Sequence, residues 1–199
     1  TVASLLAHLV PIAIRLRGSK REFRSADRTL AHVERVTRTP VPFEPPASVE
    51  RRVAITRTEW RGWPVYEVVP PDARGPRRAV YLHGGCYVFE IDPFHWRLIA
   101  DLAIASGITF VVPIYPLAPR GVASTIVPAV ADLVEQLVES LGAPNVSVLG
   151  DSAGGGMALA VAQLLRDRSV PPLGQTVLIS PWLDISGTDP RLRELDPVD

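Results

Sequence analysis

The sequence predicts an α/β fold: a mostly parallel central sheet flanked by helices. Three observations support this prediction. Short apolar runs alternate with stretches of helical spacing along the chain. At 199 residues the chain is long enough for one domain with a sizeable core. Most of its 20 prolines fall in the connections between those runs. Because strands buried on both faces are almost continuously apolar, such runs are typical of a parallel sheet covered by helices.

The predicted elements alternate along most of the chain. The strand-like runs are 52–58, 64–69, 78–82, 108–112, 145–149 and 175–180. The helical runs are 3–16, 22–37, 94–106, 124–141 and 153–168. The proline-rich stretch 39–46 cannot continue a helix, because proline lacks a backbone donor and biases its predecessor away from helical dihedral angles. It therefore separates an N-terminal helical cap segment and linker, residues 1–44, from an α/β core, residues 45–199.

The apolar segment 2–14 near the N-terminus is too short to span a membrane. It falls well below the about 20 residues that a transmembrane helix needs, and Pro11 interrupts it. Neither a basic region before it nor an Ala-x-Ala site after it indicates an intact signal peptide. We expect a helix that docks on the protein, with a weak membrane-surface contact of its apolar face as the alternative.

Charge and cysteine content exclude several classes of function. The net charge is +0 at pH 7, so the chain has no basic footprint for nucleic acid. Its one cysteine, Cys86, forms no internal disulfide and belongs to no Cys/His set with metal-ligand spacing. We therefore expect a small neutral partner, no metal, no cofactor and, by default, a cytoplasmic location.

The motif Gly150-Asp151-Ser152-Ala153-Gly154 stands where a strand-like run changes into a helical one. A turn this tight holds its central residue in a strained conformation and requires very small flanking residues, which the glycines provide. It exposes the Ser152 hydroxyl and places the Ala153 N–H at a helix N-terminus, where negative charge is favoured. The motif therefore predicts a nucleophilic serine.

A second motif, His83-Gly84-Gly85-Cys86-Tyr87, follows the predicted strand 78–82. Glycine-rich loops place backbone N–H groups close to a substrate oxygen, where they stabilise the oxyanion of acyl transfer. The predicted oxyanion hole consists of Gly84, Gly85 and Cys86 in this loop and Ala153 after the serine. Either motif alone also fits a tight or phosphate-binding turn, but both follow strands and occur in the expected order.

Together these motifs resemble the hormone-sensitive-lipase-like family of α/β-hydrolase esterases. The run 113–119 resembles the family's D-Y-R-L-A-P stretch, and 180–184 resembles its S-P-W-x-D run. The resemblance extends from about residue 45 to the end of the chain and implies an α/β-hydrolase fold. It also implies that Asp151 orients neighbouring loops and that His83 makes structural hydrogen bonds in the oxyanion loop. Residues 90–91 and 95–97 resemble the branch of the family that contains steryl acetyl hydrolases.

Two residues of the loop depart from the family pattern, which has glycine in both places. Cys86 can supply its N–H if its φ is negative, whereas a positive φ disfavours any residue but glycine. Glu90 either holds the loop, excludes anionic substrates or is a solvated loop residue. His83 as the general base is a weaker alternative, and a catalytic thiol at Cys86 is weaker still. We expect His8, His32 and His95 on helix faces and Trp96 in the core.

The acid and base of the expected catalytic triad have no matching positions. In α/β-hydrolases the order along the chain is serine, acid, histidine, but all four histidines here precede Ser152. Asp184, Asp189, Asp196 and Asp199 come too early for the acid. A sheet that ended at 175–180 would also expose an apolar edge. We therefore expect a C-terminally incomplete hydrolase whose acid and base lie beyond Asp199; a short protein that has lost catalysis is the competing interpretation.

The favoured function is a serine carboxylester hydrolase that acts on a small hydrophobic ester, with a short to medium acyl group or a sterol-like alcohol. In this hypothesis the N-terminal helices cap the acyl pocket. The alternative from another class is a non-catalytic module that binds a hydrophobic ester or hormone-like ligand. A peptidase is disfavoured, because nothing in the chain resembles an added propeller or a substrate-amine anchor.

One prediction follows from the missing base. The 199-residue chain should hydrolyse p-nitrophenyl acetate only weakly, because a serine without its base loses most of the triad's contribution to the rate. Initial rates of the chain and of its Ser152→Ala variant measure this. Fast turnover that Ser152→Ala abolishes would contradict the incomplete triad.

Overall fold

The structure is a computed structural model that describes residues 25–39 and 41–191. The chain divides into two units, Thr1–Pro42 and Phe43–Asp199. In the first unit, helix α1 (Ala26–Arg38) begins after Ser25, whose side chain accepts a hydrogen bond from the Arg28 N–H. The predicted helix 22–37 therefore starts later than expected within the described residues. The predicted helix 3–16 and the apolar segment 2–14 lie outside them.

The second unit contains the alternating strands and helices. In chain order they are α2 (Ala47–Glu50), β1 (Ala54–Trp60), β2 (Trp63–Val69), β3 (Arg78–Leu82), α3 (Pro93–Ser106), β4 (Thr109–Pro113), α4 (Ala123–Leu141), β5 (Val146–Asp151), α5 (Ser152–Asp167) and β6 (Gln175–Ile179). A 3₁₀ turn, Ala143–Asn145, precedes β5.

The sheet has the order β1-β2-β4-β3-β5-β6. The pairs β1–β2 and β2–β4 are antiparallel. The pairs β4–β3, β3–β5 and β5–β6 are parallel. At the centre, Val80 of β3 lies opposite Val111 of β4 on one side and Val148 of β5 on the other. The predicted α/β fold with a mostly parallel sheet is thereby confirmed.

Two apolar clusters cover the two faces of this sheet. Since side chains alternate along a strand, β3 contributes Val80 and Leu82 to one cluster and Ala79 and Tyr81 to the other. The first cluster is completed by buried residues of α4 and α5, and the second by buried residues of α3. Trp96 of α3 is 1% exposed, which confirms its predicted place in the core. The sheet is thus enclosed by helices near its middle strands.

Strand ends account for most differences from the predicted elements. β5 continues two residues beyond the predicted run, through Gly150 and Asp151, because both still pair with neighbouring strands. β1 begins at Ala54 rather than at residue 52, after the short helix α2 that the sequence pattern did not indicate. Within the described residues β6 pairs with β5 alone, and its Val177 is 39% exposed.

Helix α5 crosses the end of β3 so closely that Gly154 leaves no space for a side chain. A Cβ at Gly154 would lie 2.5 Å from the backbone oxygen of His83 and closer still to that of Leu82. Gly154→Ala should lower the free energy of unfolding by about 2–4 kcal/mol, because neither backbone can yield without moving the sheet. Urea denaturation followed by circular dichroism measures this.

Gly62→Ala is the matched control, because Gly62 has a φ of +79° and no atom within 4 Å of the added Cβ. Only the cost of the left-handed conformation remains there, about 1 kcal/mol. Equal losses for the two variants would show that α5 can move away from β3 to admit a methyl group at no measurable cost, and would contradict a rigid crossing.

Candidate active site

The turn that carries Ser152 has the strained geometry that the sequence predicts. β5 ends at Asp151 and α5 begins at Ser152, whose φ is +49°. A side chain at Gly150 would approach the backbone oxygen of Leu82 to 2.6 Å. The backbone N–H of Trp182 donates to the Ser152 carbonyl at 2.8 Å. Such a conformation costs about 1–3 kcal/mol, so the packing of the turn has to hold it in place.

The oxyanion loop is also strained, and Cys86 does not have the negative φ under which a cysteine is unstrained. Gly85, Cys86 and Tyr87 have φ values of +122°, +53° and +61°. The Gly85 carbonyl accepts from the N–H groups of Val88 and Phe89 at 3.0 and 2.8 Å, which closes the loop into a compact turn. Cys86 thus occupies a conformation that favours glycine.

Gly84 differs from the other predicted oxyanion donors. Its N–H donates to Oδ1 of Asp151 at 2.9 Å, so this proton is already engaged. We correct the predicted oxyanion hole accordingly: Gly84 anchors the loop to Asp151. Among the described residues, the N–H groups of Gly85 and Cys86 have no hydrogen-bond acceptor. Ala153 lies in the first turn of α5, where N–H groups lack intrahelical partners. Their role as oxyanion donors stays a prediction.

Asp151 connects the serine turn to the oxyanion loop. Besides the Gly84 N–H, its Oδ1 accepts from the Tyr81 hydroxyl at 2.7 Å, and its Oδ2 lies 3.4 Å from Nε2 of His95. Burial alone would raise the pKa of Asp151, but the hydrogen bonds from His95 and Tyr81 outweigh it and lower the pKa. The side chain is therefore a carboxylate at neutral pH and holds the loop through charged hydrogen bonds.

His83 is fully buried beneath the loop. Its Nδ1 lies 2.6 Å from the Gly84 carbonyl, and its ring stacks on Tyr115 with centroids 4.5 Å apart. Burial lowers its pKa to about 4, so the ring is neutral at pH 7 and donates from Nδ1 to that carbonyl. Within residues 25–39 and 41–191 no histidine hydrogen-bonds to Ser152. His83 therefore has the geometry of a structural residue.

Glu90 lies next to His83 and is largely enclosed. Its side chain is 15% exposed, and Oε1 lies 3.7 Å from Nε2 of His83 and accepts from the Ile91 N–H at 3.1 Å. Burial raises the pKa of its carboxyl group. Of the three interpretations of Glu90, this position favours the one in which it holds the loop, and it disfavours a solvated residue.

An apolar cavity of about 520 Å³ lies between α4 and α5 and reaches the oxyanion loop through Tyr87. The Tyr87 hydroxyl donates to the Ala153 carbonyl at 2.7 Å, and its ring lies against that of Trp182, with centroids 6.2 Å apart. Among the other lining residues are Ile126, Met157, Leu159, Leu183 and Ile185. Gly156, one helical turn after Ser152, also lines it, so the cavity begins beside the serine turn.

Sequence reasoning missed three residues of this site. His95 was expected on a helix face, yet it lies against Asp151. The Tyr81 hydroxyl donates a hydrogen bond to Asp151, and the Tyr115 hydroxyl donates one to the His83 carbonyl. One local signal existed for His95, since it stands three residues after Asp92 in a capping arrangement that fixes its orientation. Tyr81 gave no signal, because its hydroxyl group contacts a residue distant along the chain, whereas Tyr115 stands in the run 113–119 that resembles the family's D-Y-R-L-A-P stretch.

The described residues contain neither a metal-binding cluster nor a membrane-spanning helix. Over 25–39 and 41–191, no three or more His, Cys, Asp and Glu residues come together in a way that could hold a metal ion. No helix in the same ranges is long and apolar enough to cross a membrane.

The chain belongs to the α/β-hydrolase fold family, whose model matches residues 79–197. Within that fold it is a hormone-sensitive-lipase-like member. A solved structure of an esterase from the bacterial hormone-sensitive lipase family superposes with a TM-score of 0.68 at 25% identity, over 87% of this chain and 62% of that one. The family resemblance drawn from the sequence motifs is thereby confirmed.

Two curated relatives show how far the similarity extends. Triacylglycerol lipase of Mycobacterium tuberculosis is 41% identical over 129 residues, which cover 64% of this chain and 29% of the lipase. Steryl acetyl hydrolase 1 of Saccharomyces cerevisiae is 28% identical over 127 residues, 59% of this chain and 30% of that protein. The chain spans less than half the length of the curated relatives it matches.

The lowered pKa of Asp151 predicts an acid-dependent loss of stability. Its ordinary value is 3.8, so the carboxylate stabilises the fold at pH values above 3.8, and this contribution is lost as the pH falls through the lower pKa of the folded state. Asp151→Asn should cost about 2 kcal/mol at pH 7, because charged hydrogen bonds to Gly84 and Tyr81 become neutral ones.

Urea denaturation of both proteins from pH 7 to pH 3 tests this. The difference between their free energies of unfolding should be largest near pH 5, where Asp151 and His95 are both charged, and shrink below pH 4. A difference that is the same at pH 3 and pH 5 would contradict the role assigned to the Asp151 charge.

Proposed function

We propose that this chain carries the nucleophile and the oxyanion hole of a serine carboxylester hydrolase. The observation that carries the proposal is the joining of two strained turns: Ser152 with φ +49° and the loop at Cys86 with φ +53°, connected through Asp151 and Gly84. Strained backbone of this kind is concentrated at functional sites. The names of the relatives, a triacylglycerol lipase and a steryl acetyl hydrolase, agree with an ester substrate.

In the proposed reaction, Oγ of Ser152 attacks the ester carbonyl carbon, and the carbonyl electrons move to the oxygen. The N–H groups of Gly85, Cys86 and Ala153 stabilise that oxyanion. The tetrahedral intermediate then collapses, the C–O bond to the alcohol breaks, and the protonated alcohol leaves. Water hydrolyses the acyl-serine and releases the acid. A base has to take the Ser152 proton, and no histidine of the described residues is hydrogen-bonded to it.

The apolar cavity beside the serine turn supports a hydrophobic substrate. A volume of about 520 Å³ lies within the range of small-molecule sites, about 300–1,000 Å³. Tyr87 and Trp182 line its end nearest to Ser152. We propose that it receives a short to medium acyl chain or a sterol-like alcohol. The cap function of residues 1–44 stays a prediction.

Chemical rescue tests the proposed nucleophile without requiring a base in the chain. Added imidazole should accelerate release of p-nitrophenol from p-nitrophenyl butyrate by the 199-residue chain. The Ser152→Ala variant gives the background rate of imidazole itself. Mass spectrometry of an acid-quenched reaction should then show a butyryl group on Ser152.

Two results would contradict the proposal. One is an equal imidazole-dependent rate for the chain and for Ser152→Ala. The other is tight binding of a hydrophobic ester by the 199-residue chain with no acylation of Ser152, even when imidazole is present. The second result would favour the non-catalytic binding module.

Filling the cavity tests the proposed substrate class. Ala160→Trp places an indole among the lining residues, so rates with p-nitrophenyl octanoate should fall about tenfold or more relative to those with the acetate. Ala105→Trp is the matched control, because Ala105 is exposed on α3 and does not line the cavity. A ratio of octanoate to acetate rates that is unchanged in Ala160→Trp would show that acyl chains bind elsewhere.

A further inference from the structure

His95 lies between two carboxylates at the start of α3. Its Nδ1 is 3.0 Å from Oδ1 of Asp92, and its Nε2 is 3.4 Å from Oδ2 of Asp151. Asp92 also caps α3, accepting from the N–H groups of Phe94 and His95 at 2.8 and 3.1 Å. The imidazole is therefore fixed to α3 at one end and extends to the serine turn at the other.

Asp151 divides its two carboxylate oxygens between different neighbours. Oδ1 accepts from the Tyr81 hydroxyl and the Gly84 N–H, whereas His95 is the donor that the described residues place at Oδ2. A side chain added at Gly84 would clash with Oδ2, so the carboxylate is packed against the oxyanion loop. The orientation of that carboxylate decides whether Oδ1 points at the Gly84 N–H.

We propose that His95 is a positioning residue of the oxyanion loop: by donating from Nε2 to Asp151, it orients the carboxylate that holds the Gly84 N–H. The proposal rests on the proposed function, because the loop carries the Gly85 and Cys86 N–H groups that are proposed to stabilise the oxyanion. In the neutral ring, Nδ1 accepts the Asp92 N–H, found at 3.2 Å, and only Nε2 donates. In the charged ring both nitrogens donate to carboxylates, and charged hydrogen bonds are roughly twice as strong as neutral ones.

The surroundings of His95 favour its charged form. Burial lowers its pKa, but the hydrogen bond to Asp151 and the charges of Asp151 and Asp92 outweigh this, and the net pKa is raised above 6.5. Among the described residues, the other titratable groups on this side include His83, with its ring centroid 5.9 Å away, Glu90, whose Oε1 lies 3.7 Å from Nε2 of His83, and Tyr81, hydrogen-bonded to Asp151. The stabilisation by charged His95 is complete below pH 6.5 and is lost as the pH rises through the raised pKa.

Nuclear magnetic resonance titration of the 199-residue chain tests the connection directly. The amide resonance of Gly84 should move with pH at the same midpoint as the His95 ring. Asp92→Asn keeps a helix cap but removes a charge, so both midpoints should fall together by about one pH unit. Asp101→Asn, on the same helix but about 9 Å of helix rise from His95, should leave both unchanged.

Labelling of Ser152 by a fluorophosphonate, with imidazole added as the base, supplies the second readout. His95→Gln keeps a donor for Asp151, so its labelling rate should stay within about threefold of wild type. The wild-type rate should decline at high pH as His95 loses its charge, and the rate of His95→Gln should not show this decline. His95→Leu has no donor, and its rate should fall about tenfold or more at every pH. Thermal unfolding of each variant shows whether it folds. If His95→Leu does not fold, the joint titration in Asp92→Asn tests the positioning role instead.

The proposal is overturned if the Gly84 amide does not follow the His95 titration, or if folded His95→Leu is labelled as fast as wild type. Failure of the proposed function gives a different pattern. In that case the fluorophosphonate does not label Ser152 of the wild-type chain, while the joint titration of His95 and Gly84 still tests the positioning role.

Discussion

The close crossing of α5 over the carboxyl end of β3 is the constraint on which the rest of this site depends. Gly154 meets the backbone oxygens of Leu82 and His83 directly, so the first turn of the helix and the start of the oxyanion loop are held at a fixed separation. The other contacts of the site form between chain segments whose separation this crossing fixes. Asp151 reaches the Gly84 N–H from the end of β5, which pairs with β3 as far as Gly150 opposite Leu82.

Strain and hydrogen bonding are balanced around this crossing. Cys86, Tyr87 and Ser152 all have positive φ, and each such residue costs about 1–3 kcal/mol. The Tyr87 hydroxyl and the Trp182 N–H donate to the carbonyls of Ala153 and Ser152, which keeps both turns in place. For the proposed function, this means that the backbone donors are arranged before a substrate arrives, and such preorganised donors are the source of electrostatic stabilisation in acyl transfer.

The features that the sequence predicts well are those that depend on neighbouring residues. The strands, the helices and the turn at Ser152 follow from hydrophobic spacing and from small residues at fixed positions, and the structure agrees within two residues at β1 and β5. The φ of Cys86, the partner of the Gly84 N–H and the place of His95 depend instead on contacts between distant segments. Local patterns indicate at most the capping arrangement of His95 and not its contact with Asp151, so these parts of the site could be described only from the folded chain.

The cysteine of the oxyanion loop has a consequence for the chemistry that the protein tolerates. Burial raises the pKa of the Cys86 thiol, so at neutral pH the sulfur stays protonated. Because the thiolate is the form that reacts with oxidants and disulfides, this thiol is a poor target for both. Cys86 therefore adds a weak nucleophile to the loop at neutral pH, so in the proposed reaction Ser152 is the residue that is acylated.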